Sequence, residues 1–265
     1  MATLTEETGT PIENGSSPSP QPLTLIMPMA GRGARFAAEG TQAPKPLIDL
    51  FGRPFFWWAV ESVRRTISPV QTVFVVLDEH CKDFHIDRKI LAYYPDAKIV
   101  SIARVTSGAA ETASIGVKAA DFSGPIAIND CDHAFVAPQL ADAIGTLGRS
   151  AEAALLCFKS TNAAFSYARL GPDGTVIGTV EKKVVSPFAI AGCYMFANAG
   201  VFLRSYANYQ NACPYDELFI SGIFNLMAER KSKIVKADVT YHVSFGTPEE
   251  RSRVDRSAFD KALNW

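Results

Sequence analysis

Residues 28–47 read PMAGRGARFAAEGTQAPKPL, and the rest of the chain can be laid out from them. The apolar run 24–29 (TLIMPM) leads into two glycines one residue apart, Gly31 and Gly33. Arg35 follows, and then Lys45 between Pro44 and Pro46. A strand that ends in such a loop lets backbone N–H groups approach a phosphate chain closely. Two familiar phosphate loops are excluded. A dinucleotide fingerprint needs a third glycine three residues after Gly33, where this chain has Phe36. A P-loop needs Gly-Lys-Ser/Thr, which is absent. The glycine pair alone fits an ordinary strand-to-helix turn equally well. Arg35 and Lys45 narrow the choice, because displacement at a polyphosphate needs fixed cations beside the loop.

Outward from that segment the chain alternates strand and helix. Pro54 opens a helix to about residue 65, with Phe55, Trp58, Ala59, Ser62 and Val63 on one face. Residues 72–77 (TVFVVL) form a continuously apolar, β-branched run, the pattern of a strand buried on both faces. A helix to Tyr94, a strand at 97–102, a helix at 109–120 and a strand at 125–129 follow. Repeated βα units of this spacing imply a parallel sheet with helices on both faces. Past residue 153 the pattern becomes antiparallel, with strands at 153–158, 166–170, 175–180 and 192–196 around a Gly171-Pro172-Asp173-Gly174 turn. Residues 216–230 (DELFISGIFNLMAER) predict an amphipathic helix with Leu218, Phe219, Ile223 and Leu226 on its apolar face. Strands near Ile234 and Val243 and a polar helix from Pro248 close the chain. The expected fold is α/β: a Rossmann-like, three-layer, mostly parallel mixed sheet with a small β-rich insertion. One domain is expected over 22–265, with the β-rich part at about 153–200.

Composition sets the limits of function. The 265 residues carry 26 basic and 27 acidic side chains, a formal charge of −1, which argues against a dedicated nucleic-acid binder. No apolar run approaches the roughly 18–20 residues that span a bilayer, so no membrane partner is expected. Residues 1–21 are rich in Ser, Thr, Pro and Gly and lack the basic start of a signal peptide, so they read as a disordered tail of a cytoplasmic protein. Cys81, Cys131, Cys157, Cys193 and Cys213 are odd in number and widely spaced, which speaks against a disulfide framework or a zinc cluster.

The segment at 28–47 resembles the opening motif of the sugar-phosphate nucleotidylyltransferases, written GxGxRxxPxTxxxPKPLxxxxGKP. The chain supplies Gly31, Gly33, Arg35, Pro44-Lys45-Pro46-Leu47 and Gly52-Arg53-Pro54. It is most similar to small cytidylyltransferase-like members found with capsule and surface-polysaccharide genes, whose openings read PMAGxGxRF. The resemblance continues through Asp132, Glu181-Lys182, Gly192-Cys193-Tyr194 and Gly246-Thr247-Pro248-Glu249. It implies a GT-A-like nucleotidyltransferase fold and a reaction in which a nucleoside triphosphate, CTP by overall likeness, transfers its nucleotidyl group to a small phosphorylated acceptor. It implies catalytic roles for Arg35 and Lys45 and nucleotide contacts at Ala30, Gly31, Gly33, Gly108 and Ala109. Acceptor contacts would fall at Glu181, Lys182, Gly192 and Tyr194.

Mg²⁺ is the implied cofactor, on Asp132. Asp130 is a second candidate, since both carboxylates follow a buried strand at the end where open α/β sheets bind ligands. The family often carries a second metal Asp just before the Gly-Thr of the last motif, where this chain reads Ser244-Phe245-Gly246-Thr247, so that Asp130 or water completes the metal site or catalysis is impaired. Local alternatives stand beside these roles: Ser107 as a helix cap, Glu181-Lys182 as a surface ion pair, Tyr194 as core and His133 as a loop residue. At the level of the whole protein the competitors are two. Asp130-Cys131-Asp132 is formally a DxD motif, as in a GT-A glycosyltransferase, and Ser244 fits a non-catalytic nucleotide-binding relative. The acceptor's identity and homo-oligomer formation stay open.

Overall fold

The computed structural model describes residues 22–264. The disordered tail expected at 1–21 lies outside the described residues. Strand β1 (Thr24–Pro28) enters the glycine loop, which continues into the short helix α1 (Ala34–Ala38) and a 3₁₀ turn over Lys45–Leu47. The hairpin β2 (Asp49–Leu50) and β3 (Arg53–Pro54) leads into α2 (Phe55–Arg64). Pro54 is therefore the cap of this helix, in extended conformation, rather than its first residue. The five residues expected on its inner face are buried.

Next come β4 (Gln71–Leu77), α3 (Asp78–Phe84), α4 (Ile86–Tyr93), β5 (Lys98–Ile102), α5 (Ala109–Ala119) and β6 (Ile126–Asn129). The single helix expected before Tyr94 is two, broken where His85 turns left-handed at φ 53°. Strand β7 (His133–Val136) and α6 (Leu140–Thr146) precede β8 (Ala153–Lys159), β9 (Tyr167–Leu170), β10 (Val176–Val180) and β11 (Phe188–Phe196). Helices α7 (Ala199–Ala212) and α8 (Ile220–Glu229), strands β12 (Ile234–Asp238) and β13 (Tyr241–Ser244), and helices α9 (Pro248–Ser252) and α10 (Arg256–Leu263) complete the chain.

Among the described residues nine strands form one sheet, ordered β10-β9-β11-β6-β1-β4-β5, with β8 paired to β11 and β12. The β6-β1-β4-β5 half is parallel, and β11 joins it antiparallel to β6. The β-rich segment is thus hydrogen-bonded into the same sheet as the parallel half. Alternate residues of a strand face opposite sides: Phe74 meets Phe56 of α2, while Val75 and Ile26 meet Gly116 of α5. Helices therefore cover both faces.

Two departures have tertiary causes. The helix expected from residue 216 begins only at Ile220, because Leu218 gives its backbone to another segment: its N–H donates to Ser107 O at 2.9 Å and its C=O accepts from Ala110 N–H at 2.9 Å. The buried face of α8 is accordingly Ile220, Ile223, Phe224 and Met227 rather than Leu218 and Phe219. The polar C-terminal helix is two, with Asp255 capping the second through Ala258 N–H.

A second, smaller core cluster stands apart from the main one. Phe36, Ile48, Leu50, Phe55, Trp58, Ala134, Phe245, Phe259 and Leu263 pack together below the small β7–β13 sheet. Phe55 lies between Phe36, at 5.8 Å between ring centroids, and Phe245, at 4.6 Å. Ring pairs of this kind add about 0.5–1.5 kcal/mol beyond their buried area. These ring contacts therefore tie α1, α2 and the chain beside Gly246 into one frame.

Candidate active site

A cleft of about 710 Å³ opens where β1 and β6 end. On one wall Ala30 and Gly31 follow β1, Arg35 reaches in from α1, and Lys45 comes from the 3₁₀ turn. Gly33 does not border the cleft. It caps α1 at φ 62°, and a Cβ there would lie 2.9 Å from Lys45 Cβ, so its missing side chain makes room for the lysine stem. Gly33 acts on the site through Lys45.

Lys45 Nζ donates to Asp132 Oδ2 at 2.8 Å, joining two residues 87 apart in sequence. About a quarter of each side chain is exposed, so the pair borders solvent without being bathed in it. Burial works against the Lys45 charge, yet the charge and hydrogen bond of the Asp132 carboxylate, together with the other acidic groups of residues 130–131, raise the ammonium pKa. Burial likewise opposes charge on Asp132, and Lys45 more than compensates, holding that carboxyl below its ordinary range. Asp130 differs: burial and the neighbouring Asp132 charge push its carboxyl up to about 8. Of the two, Asp132 carries the charge in the free cleft.

The chain bends at residues 131–132 instead of staying extended, and both carboxyl groups still line the cleft. His133 is no loop residue. It begins β7, is 5% exposed, and places Nε2 3.3 Å from Asn129 Oδ1. Burial pushes its imidazole down to about 4, so it stays neutral.

Opposite, Gly108 and Ala109 line the cleft at the start of α5. Gly108 caps that helix at φ 150°, and a Cβ there would stand 2.5 Å from Leu218 N. Ser107 does not cap with its side chain; its N–H instead donates to Glu111 Oε2 at 2.6 Å. Glu181 and Lys182 lie in the turn after β10, and no ion pair joins them. The Glu181 carboxylate accepts hydroxyl hydrogen bonds from Ser166 and from Ser221, the latter at 2.7 Å. Lys182, left-handed at φ 51°, holds Nζ 4.9 Å above the Phe219 ring. Gly192 at φ 67° sits in the bulge of β11, where a Cβ would overlap the His133 ring and lie 3.0 Å from Asp130 Oδ2. Tyr194 is 6% exposed and belongs to the core, yet it also borders the cleft.

The donor set suits a hard cation. Among the described residues no group of three or more His, Cys, Asp or Glu side chains is placed to enclose an ion. Mg²⁺ needs less, since it binds through one or two carboxylates together with water and substrate phosphates. Asp132 and Asp130, which both line the cleft, are the carboxylates that would hold such an ion. The intervening Cys131 thiol, pushed up to about 12 by burial, offers no thiolate for a soft metal.

No protein-family model matches the chain, and no curated protein matches it. Solved structures do. A nucleoside-diphosphate-sugar pyrophosphorylase from Vibrio cholerae RC9 superposes with a TM-score of 0.74 at 22% identity, covering 86% of this chain and 98% of that one. An inositol-1-phosphate CTP transferase from T. maritima gives 0.72 at 12% identity over 92% and 96%. A structure described as a glucose-1-phosphate thymidylyltransferase from Bacillus anthracis, in complex with a sucrose, gives 0.69 at 15% over 87% and 93%. The chain shares the α/β fold of these three structures.

Within that fold, the sequence-predicted residues other than Gly33 converge on one cleft, drawn from five separate stretches of chain. Sequence reasoning missed Glu217, Phe219 and Ser221, because they were read as part of a helix. It also missed Glu250. That residue had a signal, since Thr247-x-x-Glu250 is the pattern of a capping box, and the box is present.

Proposed function

We propose that the protein is a nucleotidyltransferase. It moves a nucleoside monophosphate from a triphosphate to the phosphate of a sugar phosphate or another small phosphorylated acceptor, releasing pyrophosphate. CTP is the favoured donor, and the product is an activated precursor for surface polysaccharide made in the cytoplasm. Both refinements rest on the likeness of residues 28–47 to the small cytidylyltransferase-like proteins. The observation that carries the reading is the Lys45–Asp132 ion pair beside the Gly31 loop, at the carboxyl ends of the parallel strands.

The chemistry needs no general base from the protein. A phosphate monoester has its second pKa near about 6, so the acceptor is mostly a dianion at neutral pH. One of its oxygens attacks the α-phosphorus, the bond from that phosphorus to the bridging oxygen breaks, and pyrophosphate leaves with the electron pair. The protein's part is alignment and charge neutralisation. Ala30 and Gly31 border the triphosphate, and Gly108 and Ala109 face the nucleoside across the cleft. Arg35, exposed on α1 and without an ion pair among the described residues, neutralises the departing pyrophosphate. Lys45 bridges the α-phosphate and the acceptor phosphate, its charge secured by Asp132. Glu181, Lys182, Gly192 and Tyr194 shape the acceptor end. Asp132 and Asp130 would hold Mg²⁺, which supplies further phosphate neutralisation when bound.

Calorimetric titration with CTP, UTP, dTTP, ATP and GTP, each with Mg²⁺, tests the donor half without knowledge of the acceptor. One triphosphate is expected to bind best, and that nucleotide then serves in a pyrophosphate-release screen of phosphorylated acceptors. Binding of UDP-sugars with no triphosphate bound would replace this reading with a glycosyltransferase. Binding of a triphosphate without pyrophosphate release from any acceptor would favour the non-catalytic relative.

A further inference from the structure

We propose that Glu217 selects the nucleotide, its carboxylate accepting a hydrogen bond from the exocyclic amino group of cytosine. The proposal rests on the nucleotidyl-transfer reading and names the side chain that would distinguish CTP from UTP and dTTP. Glu217 lies outside every motif that the chain shares with the nucleotidylyltransferases. It borders the cleft on the wall of Gly108 and Ala109, the side expected to face the nucleoside. A Cβ on Gly108 would lie 2.9 Å from Glu217 Cγ, so the stem of the glutamate packs on the bare face of that glycine. The backbone there is held firmly. Glu217 O accepts from Phe219 N–H at 3.0 Å, and the next residue, Leu218, exchanges hydrogen bonds with Ser107 and Ala110. Val105, an apolar side chain 38% exposed, also lines the cleft and offers a base a face to pack on.

Charge supplies the second argument. Of the other carboxylates lining the cleft, Asp132 is paired with Lys45, Glu249 with Arg253, and Glu181 and Glu250 accept from serine hydroxyls. The Glu217 carboxylate is exposed and has no hydrogen bond or ion pair among the described residues. A free negative charge in a cleft that takes a polyphosphate is repelled by the phosphates. It is tolerated beside an uncharged part of the nucleotide that carries a donor. A carboxylate only accepts hydrogen bonds. Cytosine presents its 4-amino group as a donor to such an acceptor, whereas uracil and thymine place a carbonyl oxygen at the same point. Two acceptors facing each other are mutually repulsive, so the contact that favours cytosine also rejects its two competitors.

The competing role for Glu217 is only to pack its stem against Gly108. The two roles separate in Glu217→Gln, which keeps that stem but ends in an amide able to accept from cytosine or donate to uracil. CTP and UTP, each with Mg²⁺, are the probes, titrated by calorimetry into the full chain. The wild type is expected to bind CTP about tenfold or more tightly than UTP, within the range of one good base contact. In Glu217→Gln the two affinities are expected to become nearly equal, with the melting temperature unchanged. The same preference for CTP in Glu217→Gln would overturn the proposal. So would equal weakening of CTP and UTP, which would put the carboxylate on the ribose hydroxyls. A wild type that favours UTP, dTTP or a purine triphosphate overturns the role of Glu217 and leaves the transfer reading standing. If the wild type binds no triphosphate, the transfer reading falls and this proposal with it.

Discussion

At Lys45 the backbone is fixed by Pro44 and Pro46 and the side chain passes the bare face of Gly33 to end on Asp132. Because the contact is polar, partly exposed and outside the aromatic frame, its loss should fall on turnover rather than on stability. Lys45→Ala is expected to lower kcat/KM about 10²–10³-fold, the usual cost of removing one charge-stabilising donor, while the melting temperature stays within a few degrees. Pyrophosphate release and a thermal scan check both halves, and undiminished turnover would exclude the mechanism. Gly192 behaves oppositely. Its positive φ and the His133 ring against it leave no room for a methyl group. Gly192→Ala should destabilise the fold by about 2–4 kcal/mol, read from urea unfolding, through damage that begins at Asp130 and His133.

Elements, rather than residues, decide how far the two walls of the cleft stand apart. The wall that carries Lys45 is pinned by the Phe36–Phe55–Phe245 ring contacts, and Phe245 is fully buried between Ser244 and Gly246. Phe245→Ala should cost about 3–5 kcal/mol and also weaken metal binding, because Phe245 N–H bonds to Asp132 O and that segment loses its anchor. Conservative Phe245→Leu should retain most of both, and equal loss in the two variants would show that the stack is not the anchor. The opposite wall, at Gly108 and Ala109, depends on the clamp between residues 107–110 and Leu218. Gly108→Ala would drive a methyl group into the Leu218 backbone. Triphosphate affinity should fall in that variant while the core strands keep their slow hydrogen exchange.

Taken whole, one sheet carries both walls of the cleft: its parallel half ends at the Gly31 loop and its antiparallel half at Glu181 and Gly192, with β11 bonded to both. No helix among the described residues is long and apolar enough to cross a membrane. A ligand that bridges both halves stabilises the whole by mass action, by about 2.7 kcal/mol at a hundredfold excess over Kd. For a chain of this size that is about 5–10 °C in melting temperature. The favoured triphosphate with Mg²⁺ should produce this shift and the same triphosphate with EDTA a much smaller one. No shift with any triphosphate would contradict the transfer reading.

The parallel half was legible in the chain itself. Residues 72–77 are apolar on both sides and can only be a strand covered twice, and the glycine, arginine and lysine positions of 28–47 lie close enough in sequence to be read as one motif. Periodicity also located α2 and α5, since their buried faces recur every third or fourth residue. What it could not see was competition between distant segments. Residues 216–219 have helical amphipathicity, but the backbone of Leu218 bonds to Ser107 and Ala110, and those hydrogen bonds outweigh local propensity. Helix α7, capped by Asn198, is rich in Ala, Asn and Tyr, with too little contrast between its faces to stand out. The split between Asp130 and Asp132 is likewise tertiary, because burial and the approach of Lys45 decide which carboxyl keeps its charge. Sequence by itself determined the strands β1, β4, β5 and β6, the helices α2 and α5 and the glycine, arginine and lysine positions of residues 28–47, because these follow from local pattern. Only the tertiary structure decided that Glu250 stands beside Ser244 and that Gly33 serves Lys45, because such contacts depend on where packing puts residues far apart in the chain.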